Sequence, residues 1–218
     1  MICPNCQKEN KPGIFCRYCH VDMVVFSGVE YISNKLYNQG LARLKVGDFY
    51  HGTKILEKSI LVNRDNIPAR NLLGLALFEV GHIGEALKHW NISCIIQPGN
   101  NPAKRYLSSL IEHRSELERL NSTAMMFNKA LAHIKQKSTD LAIIQLRKTV
   151  EANPKFIDAH NLLTFCYLVR GDRENALSIA EKVLAFDNLN PNALNYYRTI
   201  NPTKKPRQGI STTLGFLT

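Results

Sequence analysis

Asn71-Leu72-Leu73-Gly74-Leu75-Ala76-Leu77, followed by Gly81, Ala86, Trp90 and Pro98, is the stretch on which the fold turns. Its apolar residues recur at helical spacing up to Gly81, break there, and resume up to Pro98. Gly74 and Gly81 each have a counterpart 34 residues earlier, at Gly40 and Gly47. Asn71-Leu72-Leu73 returns 90 residues later as Asn161-Leu162-Leu163. Tyr37-Asn38 and Leu41-Ala42 return at the same offset as Phe127-Asn128 and Leu131-Ala132. These periods predict a helical repeat array made of two similar halves. Four copies begin near Ser33, Ile67, Thr123 and Ile157.

Each copy reads as two helices joined by a short turn. Small residues at Ala42, Ala76, Ala132 and Cys166, and at Ala86, Ala142 and Ala176, would let paired helices approach closely. Gly47, Gly81 and Gly171 fall where a helix must stop, and glycine takes the left-handed conformation there cheaply. Pro98 and Pro154 end the second helices of their copies. Stacked pairs bury a continuous apolar seam that one pair could not bury alone. The first copy is the most divergent, with Gly52 at an Ala position and Arg64 at a Pro position. Copies two and three start 56 residues apart, an excess of 22. Tyr106, Leu107, Leu110, Ile111, Leu117 and Leu120 keep helical spacing inside that excess, which predicts one inserted helix. Asn121-Ser122-Thr123 would cap the helix after it. Pro191–Ile200 reads as a further helix covering the last apolar face.

The order Leu-Gly, large residue, turn Gly, Ala, aromatic, Pro resembles the tetratricopeptide repeat over roughly residues 33 to 190. The resemblance implies an all-α solenoid of four helix pairs, with one inserted helix and a C-terminal capping helix. It also implies a concave groove lined by the first helix of each pair. In this register the groove residues are Tyr37, Asn38 and Leu41; Asn71, Leu75 and Phe78; Phe127, Asn128, Leu131 and Ile134; and Asn161, Phe165 and Leu168. Aromatic and aliphatic side chains offer contact area, and asparagine can donate and accept at once. The expected partner is an apolar or helical protein segment. The Lys/Arg/Asn clamp that such domains use on a C-terminal carboxylate is not rebuilt by Lys45 and Lys135.

The first nineteen residues hold two Cys-x2-Cys pairs, Cys3/Cys6 and Cys16/Cys19. Two residues between thiols let one tight turn aim both sulfurs at a point, and two such turns make a closed tetrahedral site. The expectation is one structural zinc ion per chain, with iron as the alternative. The segment, with Phe15-Cys16-Arg17-Tyr18-Cys19, resembles the short zinc ribbons at the N-termini of prokaryotic multi-domain proteins. Cys16-Arg17-Tyr18-Cys19-His20 also matches a c-type haem attachment sequence, which would leave Cys3 and Cys6 unexplained. Cys94 and Cys166 sit alone in apolar helical patterns, a usage that suits a reducing cytoplasm. No charged-then-apolar leader and no long apolar run point to export or a membrane span.

The formal charge is +10, with acidic residues interleaved among the basic ones. Lys204-Lys205-Pro206-Arg207 is the one concentrated run; it suggests contact with an anionic membrane surface through Lys204, Lys205 and Arg207. Nucleic-acid association through the ribbon is a second alternative, carried by few charges: Lys8, Lys11 and Arg17 against Glu9 and Asp22. The histidines share no motif with a nucleophile or a carboxylate pair, and no phosphate loop or nucleophile elbow occurs. The reading is therefore a non-catalytic protein-interaction scaffold. Its expected organisation is a zinc ribbon at 1–22, a linker at 23–32, a repeat pair at 33–101, an inserted helix at 102–122, a second repeat pair at 123–190, a capping helix at 191–200 and a flexible basic tail at 201–218.

Overall fold

The structure, a computed structural model, describes residues 2–204 apart from Pro4 and Pro12. Of the expected tail, residues 205–218, with Lys205 and Arg207, lie outside the described residues. Among the described residues ten helices follow one another: α1 Met23–Lys45, α2 Phe49–Val62, α3 Ile67–Glu79, α4 Ile83–Ile96, α5 Ala103–Glu112, α6 Arg114–Lys135, α7 Thr139–Ala152, α8 Ile157–Arg170, α9 Arg173–Phe186 and α10 Pro191–Ile200. The pairs are α1/α2, α3/α4, α6/α7 and α8/α9, and α10 packs on α9. Among the described residues, extended pairing is limited to two isolated bridges, Ile2–Glu9 and Phe15–Asp22.

The turns explain where the pairs bend. Gly47, Gly81 and Gly171 have φ of 75°, 88° and 82°. At each, the two amides after the helix bond back to carbonyls of its last turn, as with Gly81 N to Phe78 O at 3.1 Å and His82 N to Leu77 O at 2.8 Å. The third pair makes the same closure, with Lys137 N to Ile134 O at 2.9 Å, but with a lysine at φ 59°. α3, α9 and α10 start under asparagine or aspartate caps: Asn66 accepts from Ala69 N, Asp172 from Asn175 N and Asn190 from Ala193 N.

Close approach within pairs follows from size. A Cβ at Gly74 would lie 2.3 Å from Trp90 Nε1, so glycine is what lets the indole seat against α3. Trp90 is 2% exposed and donates to Asn71 O at 3.2 Å. Truncating such a residue to alanine costs about 3–5 kcal/mol. Ala76, Ala86, Ala130, Ala142 and Ala176 are fully buried. Ala42 and Ala132 are not contact residues as expected: both are exposed, and Gly40 and Ala130, two residues earlier, face the partner helix.

Two expected boundaries are corrected. Residues 23–32 form no linker; they are the first turns of α1, which runs unbroken for 23 residues. The insertion is not a single helix over 102–122. α5 ends at Glu112, and α6 continues from Arg114 straight into the third pair. Asn121, Ser122 and Thr123 are inside α6; Thr123 turns its hydroxyl onto Leu120 O at 2.6 Å instead of capping. Apolar residues at helical spacing, Leu117, Leu120, Ala124 and Phe127, carry the helix through the polar Asn121-Ser122-Thr123 segment and favour continuing it over capping it.

The insertion brings the second half back against the turn ends of the first. Ile157 N donates to Val80 O at 3.3 Å, and Asn188 N donates to Gly47 O at 3.1 Å. Phe49 and Phe186 stack with centroids 4.8 Å apart. One apolar core therefore contains Leu44, Phe49 and Leu77 of the first half with Ile157, Val183 and Leu184 of the second.

Candidate metal centre and binding face

The four cysteines are brought together by two turns with the same hydrogen bonds. Gln7 N donates to Cys3 O at 2.8 Å and Cys3 N to Lys8 O at 2.9 Å. In the second turn His20 N donates to Cys16 O at 2.9 Å and Cys16 N to Val21 O at 2.9 Å. Gln7 and His20, each the residue after the second cysteine, both take φ 57°. Cys3 and Cys19 sulfurs lie 3.6 Å apart, as do those of Cys6 and Cys16, and all four lie within 4.8 Å of one another. An ion with tetrahedral metal–sulfur bonds of about 2.3 Å needs sulfur–sulfur edges of about 3.8 Å. A disulfide needs about 2.05 Å, and all four thiols are free.

The electrostatics of the quartet also fit a cation. At Cys16 burial opposes ionisation, but N–H groups of Cys19 and Tyr18 more than offset it, and the thiol is drawn down to about 6. At Cys6 the Lys8 N–H favours the thiolate, yet burial and the neighbouring sulfurs prevail and push it up to about 12. Four thiolates cannot share this space without a compensating charge, which a bound metal ion would supply. Such an ion would be held by Cys3, Cys6, Cys16 and Cys19, with no open position, and would act by holding the two turns together. Met23 joins Cys3 and Cys16 in one buried cluster, and Met23 N donates to Ile14 O at 2.7 Å. The head is thereby fixed to the first turn of α1, which Asp22 caps through Val24 N and Val25 N.

The structure separates the groove residues expected from sequence. Asn71 and Asn161 are buried, 7% and 6% exposed, and face the repeat junctions instead of a partner. Asn71 Nδ2 donates to Asn101 Oδ1 at 2.9 Å, and its Oδ1 accepts from Ser93 Oγ at 2.5 Å. Asn161 Nδ2 donates to Asn190 Oδ1 at 3.2 Å. Asn101 and Asn190 also accept from the backbone of the next helix, at Ala103 N and Ala193 N. Asn66 does the same for α3 while donating to Ser33 Oγ at 2.8 Å. The recurrent asparagines staple repeat to repeat, which corrects their assignment to the groove. Sequence reasoning missed Asn66, Asn101 and Asn190 as staples; asparagine just ahead of a proline at a helix start was the available signal.

Tyr37, Leu41, Leu75 and Phe78 are half-buried against the first core, and Phe127, Ile134 and Leu168 against the second. Phe78 lies 5.8 Å from Trp90 and Phe127 4.9 Å from Phe156, centroid to centroid. Leu131 is half-buried, while Asn38, Asn128 and Phe165 are exposed. α1 carries a stripe of which the sequence reading assigned only Asn38 to the groove: Tyr31, Asn34, Lys35, Asn38, Gln39 and Ala42 line a groove of about 560 Å³. Their spacing of three and four residues is the signal for one helix face.

Four of the seven histidines engage helix ends or carboxylates. His51 Nδ1 lies 2.8 Å from Asp48, His82 Nε2 3.3 Å from Asp158, and the Nδ1 atoms of His113 and His160 reach Ser109 O and Phe156 O. Among the described residues no helix is long and apolar enough to cross a membrane.

Helix pairs at a 34-residue period, closed by left-handed turns and stacked through asparagine staples, define the architecture. The array is an all-α solenoid of helix pairs, of the kind the tetratricopeptide resemblance implies, behind a four-cysteine cluster. Among solved structures it is similar to the TPR domain of P58(IPK), at 19% identity over 81% of this chain and 48% of that one, with a TM-score of 0.49. This chain thus spans about half the length of that domain. It is also similar to MamA, at 14% identity over 81% of this chain and 82% of that one, with a TM-score of 0.35. A third is YrrB, described as a TPR protein with an unusual peptide-binding site, at 17% identity over 78% and 96%, with a TM-score of 0.36. No family model matches the chain. No curated protein matches it either.

Proposed function

We propose that this chain is a non-catalytic scaffold that holds a protein segment on the exposed face of α1, with one structural zinc ion in its head. The observation that carries the reading is the α1 stripe. Asn38 and Gln39 offer carboxamides that can pair with both polar groups of an extended backbone, and Lys35 offers a charge. Asn34 contributes its amide hydrogens, since its Oδ1 already accepts from Asn66. Tyr31 and Ala42 give contact area. Asn128 and Phe165, exposed on the first helices of later pairs, are the sequence-expected residues that could extend the contact. The remaining half-buried residues serve chiefly as packing. The zinc head, fixed to the start of the same helix, holds the stripe's approach in one orientation.

The test is affinity capture with the full chain and a Tyr31→Ala, Asn38→Arg double variant. A partner held by the wild type is expected to bind the variant about tenfold or more weakly. Equal binding would remove this face from the reading.

A further inference from the structure

We propose that Asn10 is the positioning residue of the four-cysteine head, setting how firmly the head keeps a divalent, thiolate-seeking ion such as zinc. The inference rests on the metal reading above and deepens it. Asn10 follows the Ile2–Glu9 bridge, at the start of the segment that joins the two cysteine turns. Its side chain does not point to water: the residue is 7% exposed. Nδ2 donates to Cys16 Sγ at 2.8 Å, and Oδ1 accepts from Arg17 N at 3.4 Å. Nδ2 also lies 3.8 Å from Met23 Sδ, at the first residue of α1. One carboxamide therefore touches the connector, the first ligand of the second turn, the residue after that ligand and the helix on which the head stands.

The chemistry asks for a donor at this place. Cys16 is fully buried, so water cannot reach its sulfur to share the thiolate charge. An amide N–H can, and because its nitrogen has no free lone pair it does not compete for the ion. Hydrogen bonds of this kind orient ligands and typically govern metal affinity by 10–100-fold. Asn5, whose side chain reaches Cys19, is exposed, so water can take its place there. Asn10 has no such substitute. Aspartate would keep the shape of Asn10 but would set a carboxylate against a thiolate.

The test loads the full-length chain with Co²⁺, reads the thiolate-to-cobalt charge-transfer absorption, and measures retention of Co²⁺ and Zn²⁺ against a competing chelator. Asn10→Ala and Asn10→Asp are both expected to hold the ions about 10–100-fold more weakly than wild type, with Asp at least as weak as Ala. Asn10→Ser, which keeps an O–H donor, is expected to recover part of the loss. The head lies outside both solenoid cores, so helical circular dichroism checks folding independently of the metal. Wild-type retention by Asn10→Asp would show that only shape matters and would overturn the proposal while leaving the metal reading intact. Absence of the cobalt band in the wild type would overturn both.

Discussion

The carboxylate of Asp187 accepts the backbone N–H of Phe49 at 2.9 Å, and that of Tyr50 at 3.3 Å. Asp187 lies between α9 and α10, so it caps α2 from the far end of the chain. α2 already has its own cap in Asp48, which accepts from His51 N at 3.2 Å. Two carboxylates thus meet the unpaired amides and positive dipole end of one helix. Burial raises the pKa of Asp187, and Asn190 Nδ2 at 2.9 Å and the two amides oppose that rise. The bond closes the first repeat onto the fourth.

Asp187→Ala is expected to cost about 2–3 kcal/mol, because charge-assisted bonds are lost and the buried Phe49 N–H is left without an acceptor. Urea denaturation measures the loss, and faster hydrogen exchange at the Phe49 amide would localise it. A change below about 0.5 kcal/mol would mean that the junction holds through apolar contact alone.

Gly81 and Gly171 separate two reasons for keeping glycine. Both have positive φ, but a Cβ on Gly81 would stand 2.7 Å from the Phe156 Cα across the junction, and one on Gly171 would meet open space. Gly171→Ala should cost about 1–2 kcal/mol for the left-handed backbone alone. Gly81→Ala should cost clearly more and should weaken the contact between halves. Equal thermal midpoints for the two variants would contradict the close approach of α8 to the α3–α4 turn.

Lys137 occupies the same turn position as those glycines, at φ 59°, with its side chain exposed. Lys137→Gly removes left-handed strain of about 1–2 kcal/mol, offset in part by the greater freedom of glycine in the unfolded chain. A net gain of up to about 1 kcal/mol is expected in chemical denaturation. A loss of stability would show that the lysine side chain makes a contribution exceeding the strain.

These comparisons also mark what the sequence made legible. The periods of 34 and 90 located the helix pairs and three of the four turns, because glycine at a left-handed stop is a local requirement. The cysteine spacing located the head for the same reason. Asn71 and Asn161 were misread because recurrence does not say which way a side chain faces: a staple between repeats recurs just as a binding residue would. The α5–α6 break, the unbroken α1 and the Asp187 cap were invisible. The Asp187 cap is a contact between distant segments, which no local pattern announces, while Lys137 hid a turn behind a residue that rarely takes that conformation.

Acid is expected to weaken the solenoid through buried His160 and half-buried His89. His160 is 8% exposed; burial lowers its pKa, the Phe156 carbonyl opposes that, and Lys182 adds to the lowering. Burial lowers His89 as well, with Arg70 and Lys88 acting in the same direction. Below about pH 6.5 the unfolded chain therefore binds more protons than the folded one. This part of the stability is present above that value and is lost as the pH falls through it. Thermal midpoints measured from about pH 7 down to about pH 5 should fall, and His160→Gln should flatten the slope. An unchanged slope in His160→Gln would place the dependence elsewhere.

Metal removal should act on the head and spare the array. Among the described residues the cysteine cluster shares only Met23 with the helices, and the two solenoid cores draw on none of the four ligands. A strong chelator, or Cys16→Ser, should therefore release one zinc ion per chain and leave most helical circular dichroism in place. The effect should reach into α1 as far as its unpaired start: Asp22 and the Ile14 carbonyl anchor that end, and both depend on the second cysteine turn. From Ser33 onward the helix is held by Ser59, which exchanges hydroxyl bonds with it at 2.8 and 2.9 Å, and should persist. Hydrogen exchange before and after chelation resolves the two zones. Protection lost over residues 23–32 and kept from Ser33 on is the expected pattern, whereas loss through the whole of α1 would mean that the head supports the first repeat itself.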